Sequence, residues 1–108
     1  MLHRNRRLAA VVEKSFAIEL NKILPGIYVS ITEVDVSADS KFATIWLSVM
    51  SDDKERIFTE VINNKPRLMQ ALAESVNVRR LPSVDIKLDN RLDYAQHISN
   101  KIKDINRE

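Results

Sequence analysis

The side chains that could do bond-making chemistry are few and badly spaced. The chain has no cysteine, which excludes disulfides, thiol catalysis and cysteine-ligated zinc. Its two histidines, His3 and His97, stand near opposite ends, without metal-ligand spacing. The one glycine, Gly26, rules out a P-loop and a dinucleotide fingerprint. The serines form no nucleophile elbow. Asp35, Asp39, Asp52 and Asp53 fall on a strand, a turn and a helix start, where solvation and capping account for them. No catalytic constellation, no metal site and no cofactor are expected. The remaining candidates are cationic: Arg4, Arg6 and Arg7, then Lys14, then Asn64, Lys65 and Arg67 around a proline, then Arg79 and Arg80. Arginine at a helix start opposes the helix dipole, a local cost that a phosphate partner offsets. A solvated, frayed terminus accounts for Arg4–Arg7 about as well. Asn63 and Asn64 suit capping better than base contact. Guanidinium and ammonium groups on phosphates give salt-dependent, sequence-tolerant binding.

The elements that must position these groups follow from the apolar periodicity. Leu8, Val12, Phe16, Leu20 and Ile23 form one stripe at helical spacing, predicting a helix from about Arg4 to Leu24 that Pro25-Gly26 stops. Residues 28–37 read as a strand. Val29 and Ile31 share one parity and Val34 and Val36 the other, so a bulge is expected between Ile31 and Val34. Ser37-Ala38-Asp39-Ser40 is turn chemistry, and Lys41 to Met50 is the second strand of a hairpin, with Ala43, Ile45, Leu47 and Val49 on its core face. Ser51-Asp52-Asp53 can cap a helix carrying Ile57, Phe58, Val61 and Ile62. Pro66 interrupts it and opens a second helix with Leu68, Leu72 and Val76. Ser83 to Leu88 alternates as a third strand, parallel after so long a crossover. Tyr94, Ile98, Ile102 and Ile105 mark a terminal amphipathic helix. The expected fold is α+β, ordered α-β-β-α-kink-α-β, with helices on one face of a three-stranded mixed sheet.

One hundred and eight residues and a 44% hydrophobic share suit one small domain with one core. Apolar runs are too short for a membrane span or a signal peptide, so a soluble, cytoplasmic protein is expected. The net charge of +2 conceals a segregation. Residues 1–22 and 65–87 each carry five cations against two acids, whereas residues 33–60 carry three against seven. If folding joins the two basic stretches, the result is one basic and one acidic surface, and the former suits a polyanion such as RNA or an acidic membrane. Solvated helix faces would produce the same pattern. Phe42 and Trp46 share the sheet face away from the helices, where packing or partial exposure is favoured over a base-stacking platform.

Three stretches carry a resemblance. Arg4-x-x-Arg7-Leu8 is followed by apolar residues every four positions to Leu20, then Ile23-Leu24. The run ITEVDVSADSKFATIWLSV, Ile31 to Val49, joins two strands through a Val-x-x-Ser-x-Asp-like turn. Val78-Arg79-Arg80-Leu81-Pro82 precedes an alternating strand and Asp89. In this order and at these separations, over roughly Arg4 to Ile98, the chain resembles the ribosome-binding factor A family, whose fold is type II KH-like. The family's kink usually reads Ala-x-Gly; here the matching positions are Asn64-Lys65-Pro66, which leaves a kink in place but changes how closely backbone can approach RNA.

The resemblance implies a KH-like RNA-binding domain over residues 1–90, a C-terminal helix or tail over 91–108, and a non-enzymatic assembly factor. It would bind free immature small ribosomal subunits (30S) and their rRNA, supporting maturation of the 5′ end of 16S rRNA, especially in the cold. It would be a monomer, with no small-molecule substrate and no membrane partner. The alternative reading is a protein-interaction module or dimer acting through the acidic strand region without RNA.

Overall fold

A computed structural model of the chain describes residues 5–77 and 80–89. The elements are α1 (Arg6–Ile23), β1 (Val29–Val36), β2 (Phe42–Val49), α2 (Lys54–Asn63), α3 (Lys65–Ser75) and β3 (Ser83–Leu88). β2 is central, antiparallel to β1 and parallel to β3. This is the expected α+β order. The helix expected around Tyr94 to Ile105 lies outside the described residues.

Local chemistry sets the ends of α1. The helix begins at Arg6 rather than Arg4 because Asn5 caps it: the Asn5 side-chain oxygen accepts from Leu8 N–H at 3.0 Å. Asn5 also ties the cap to the sheet. Its backbone N–H donates to Val36 C=O at 3.0 Å, and its Nδ2 donates to Ser40 Oγ at 2.7 Å. At the other end, Gly26 adopts φ +80°, the left-handed conformation that lets the chain reverse into β1.

The bulge expected in β1 is present at Thr32. Ile31 pairs with Leu47, whereas Glu33 pairs with Trp46, so two residues of β1 span one step of β2. The extra residue turns both parities inward: Val29, Ile31, Val34 and Val36 all stand opposite core positions of β2. Against them pack the α1 stripe of Leu8, Val12, Phe16 and Leu20, then Val61, Leu68 and Leu72, with Val84 and Ile86 from β3. The kink is one residue long. Asn64 N–H donates to the carbonyls of Glu60 and Val61, and Asn64 C=O accepts from Leu68 N–H at 3.0 Å. Pro66 is the second residue of α3, where a helix has no partner for an N–H anyway. The apolar phase therefore carries across from α2 to α3.

The β1–β2 turn is held from inside. Asp39 Oδ1 accepts from Ser37 Oγ at 2.6 Å and from Lys41 N–H at 3.0 Å, while Ser37 Oγ accepts from Phe42 N–H at 3.1 Å. Ser40 completes the turn at φ +63°. The Ser37 hydroxyl, then the Lys41 amide, hold the Asp39 carboxyl below its ordinary 3.8.

Three measurements check this account. Asn5→Ala removes the cap and the bond to Ser40, and should cost about 1–2 kcal/mol in denaturant unfolding. Ser15 Oγ is buried without a hydrogen-bond partner among the described residues; Ser15→Ala should therefore stabilise by about 1 kcal/mol and raise Tm. Because Asp39 is more acidic folded than unfolded, its contribution is fully present above pH 3.8 and is lost as pH falls through the folded value. Asp39→Asn should flatten that acid-side loss in a pH series of thermal melts.

Candidate nucleic-acid interface

Arg6 and Arg7 occupy the first turn of α1, both exposed, with no acid in that turn. Lys14, also exposed, lies seven residues beyond Arg7 and so on the same helix face. Among the described residues none of the three makes an ion pair. α2 shows the opposite arrangement. It opens on Asp53 and Glu55, the charge its dipole favours, and Asp53 pairs with Arg56 at 3.4 Å. α1 and α3 instead open on cations, with no first-turn acid in either.

At the far end of α1 a second cationic group assembles around one carboxylate. Glu19, only 13% exposed, accepts from Arg67 Nε at 2.7 Å and stands 3.9 Å from Lys22 Nζ. Arg67 is thus a packing residue as well as a candidate contact: its bond to Glu19 clamps α3 onto α1 through Nε and leaves the terminal N–H donors outside that bond. Lys65, two residues earlier, is the first residue of α3 and has no ion pair among the described residues. Two cations against Glu19 leave this end net positive, and Lys65 opens the same helix as Arg67. Asn64 folds back on α2, its Nδ2 donating to Glu60 C=O at 2.8 Å, so it caps that helix.

The basic stretches therefore form two poles, not one patch, with Lys14 between them and the exposed Glu13 beside it. Thirteen residues of helix separate Arg6 from Glu19, about 20 Å at 1.5 Å per residue. Lys22 belongs to the second pole and was not singled out by sequence reasoning; its place eight residues beyond Lys14 on the same helix was the available signal. Lys41 was missed likewise. It sits beside Ser40, the residue bonded to Asn5, and so joins the first pole. Arg80, exposed, lies three residues before Ser83, whose N–H donates to Lys41 C=O at 2.8 Å, which brings it to the same edge. Arg4 and Arg79 lie outside the described residues, as do His3 and His97.

The opposite side of the sheet has another character. Glu33, Asp35 and Asp85 stand on its helix-free face with Phe42, Thr44 and Trp46. Asp85 lies 3.8 Å from Lys87. Trp46 is half-buried, the partial exposure expected of it, whereas Phe42 is largely exposed, more than expected, because it stands at the first position of β2, where little packs over it. Beyond β3, the buried Asp89 accepts from Thr32 Oγ1 at 2.6 Å, and its N–H donates to Leu47 C=O at 2.7 Å. No group of three or more acidic, histidine or cysteine side chains could hold a metal among the described residues. No helix there is long and apolar enough to cross a membrane.

Comparison with known proteins gives a consistent result. The family model for ribosome-binding factor A matches residues 4–102. A ribosome-binding factor A of Finegoldia magna is 31% identical, over 99% of this chain and 94% of the relative. One from Fusobacterium nucleatum is 32% identical, over 93% and 90%. The crystal structure of ribosome-binding factor A from Thermus thermophilus superposes with a TM-score of 0.67 at 21% identity, covering 77% of this chain and 92% of that one, a likeness of fold.

Proposed function

The chain belongs to the ribosome-binding factor A family, and from that premise we propose that it is a ribosome assembly factor of the cytoplasm that binds free, immature small subunits through their rRNA. It supports maturation of the 5′ end of 16S rRNA, above all in the cold. Residues 1–90 form the RNA-binding domain, as a monomer, and residues 91–108 an appended segment. It acts by binding and release, and the strand scission belongs to a nuclease.

The observation that carries this reading is the line of cations along α1 and at the start of α3. Arg6, Arg7 and Lys14 stand exposed along α1 and lead to Lys22, Lys65 and Arg67, while Glu33, Asp35 and Asp85 occupy the far side of the sheet. Cations spread over about 20 Å of α1, with Glu13 the one exposed acid among them, match a phosphate backbone better than they match a small anion. The starts of α1 and α3 add their remaining first-turn N–H groups to the same field, Leu8 N–H being taken by Asn5 and Pro66 having none. Glu33, Asp35 and Asp85 on the helix-free face disfavour approach of RNA from that side.

Neutralising Arg6, Arg7 and Lys65 together, each to Gln, should leave the fold intact because none makes an ion pair among the described residues. Co-sedimentation with small subunits should fall at least about tenfold. The slope of log affinity against log salt should become shallower by roughly 2–3, one phosphate contact per cation lost. Normal co-sedimentation by the folded triple variant would refute the assignment. Association that resists moderate salt would instead favour an apolar protein interface.

A further inference from the structure

Between the β1–β2 turn and the approach to β3 lies a cleft of about 490 Å3, the size of sites that take a small organic ligand. Its walls combine three chemistries. Phe42, at the edge of β2, is 64% exposed although it is a large aromatic on a central strand. Lys41 and Arg80 stand on the two sides of the cleft with no ion pair among the described residues. Leu81 and the buried Pro82 supply an apolar wall. Asp39 also lines it, its Oδ1 already engaged by Ser37 and Lys41 N–H.

We propose that this cleft holds one unpaired ribonucleotide, its base stacked on Phe42 and its flanking phosphates on Lys41 and Arg80. The inference rests on the reading that the chain binds rRNA and adds to it a preference for single-stranded RNA at a defined point. The combination selects this ligand. An exposed aromatic ring beside two cations suits a base with its phosphate, since every base offers a π face. A bare phosphate has no use for the ring or the apolar wall. A base edge can donate N–H to the Asp39 carboxylate. Duplex RNA keeps its bases stacked and cannot offer one to Phe42. The position is continuous with the first basic pole, because Ser40 in the cleft wall is bonded to Asn5 at the start of α1.

The test measures fluorescence anisotropy of the full chain with a labelled eight-nucleotide single-stranded RNA and with the same sequence as a duplex, at low salt. Phe42→Leu keeps an apolar side chain but removes the ring, and at this exposure it should leave Tm unchanged. Single-strand affinity should fall about tenfold, the loss of one stacked base, while duplex affinity changes less than twofold. Arg80→Gln should weaken both. Equal loss on both RNAs in Phe42→Leu, or no loss on either, overturns the proposal. Co-sedimentation of wild type with small subunits separates the two readings. Subunit binding without Phe42-dependent oligonucleotide binding leaves the assembly-factor reading standing and the cleft refuted. Phe42-dependent oligonucleotide binding without subunit binding does the reverse.

Discussion

One inserted residue decides which way half of β1 faces. Side chains alternate along a strand, so a ladder without Thr32 as an extra residue would send Val34 and Val36 to the helix-free side and turn Glu33 and Asp35 into the core. Burying two carboxylates among Ile45, Phe16 and Val12 would cost more than a small domain has in reserve. The bulge is held by its own side chain. The Thr32 hydroxyl donates to Asp89, beyond the end of β3, and lies 3.3 Å from the Trp46 carbonyl of β2. One threonine thus links all three strands at the level where the register changes. The acidic face, the position of Trp46 and the inward set of β1 all follow from it.

From the same register comes the placement of α1. Val36 is buried because the bulge restores the inward phase, and its carbonyl accepts the Asn5 N–H that starts the helix. Asn5 then reaches Ser40 in the turn. The first basic pole is therefore set by the sheet through the cap and not by the arginines themselves. Lacking ion pairs among the described residues, Arg6 and Arg7 contribute little to holding the helix in place, and that separates what folds the domain from what its surface offers a partner.

Most of the fold was legible because it is written in periodicity. The α1 stripe, the parity slip between Ile31 and Val34 and the apolar phase surviving Pro66 each depend on near neighbours, and each led to the observed element. The candidate site was legible only as a set of cations. Its arrangement depends on contacts between residues far apart in sequence: Asn5 with Ser40, Glu19 with Arg67, Thr32 with Asp89. Glu19 shows the limit best. As one acid on an exposed-looking helix it carries no signal, yet it clamps α3 and sets the distance between the poles. Asn64 shows the converse: its capping role was readable from residue type alone, since a short amide beside a helix end competes well for a backbone carbonyl.

The kink bears on how such a surface can let go. In Asn64-Lys65-Pro66 the break is closed by backbone bonds on both sides of Asn64, and the proline adds a fixed φ. In the proposed binding, a glycine there would let RNA backbone approach closely, whereas proline would keep it at side-chain distance. In the proposed binding, contact at this pole would pass through Lys65 and Arg67, whose flexible stems can reach phosphate without fixing the backbone against it. Binding built from long side chains gains its strength from many screened charges, each worth little alone. Such a surface holds while all its phosphates are presented together. It weakens steeply when a rearrangement of the RNA withdraws two or three of them, because the contacts act in sum. If the proposed binding holds, release by reshaping the RNA would need no rearrangement among the described residues.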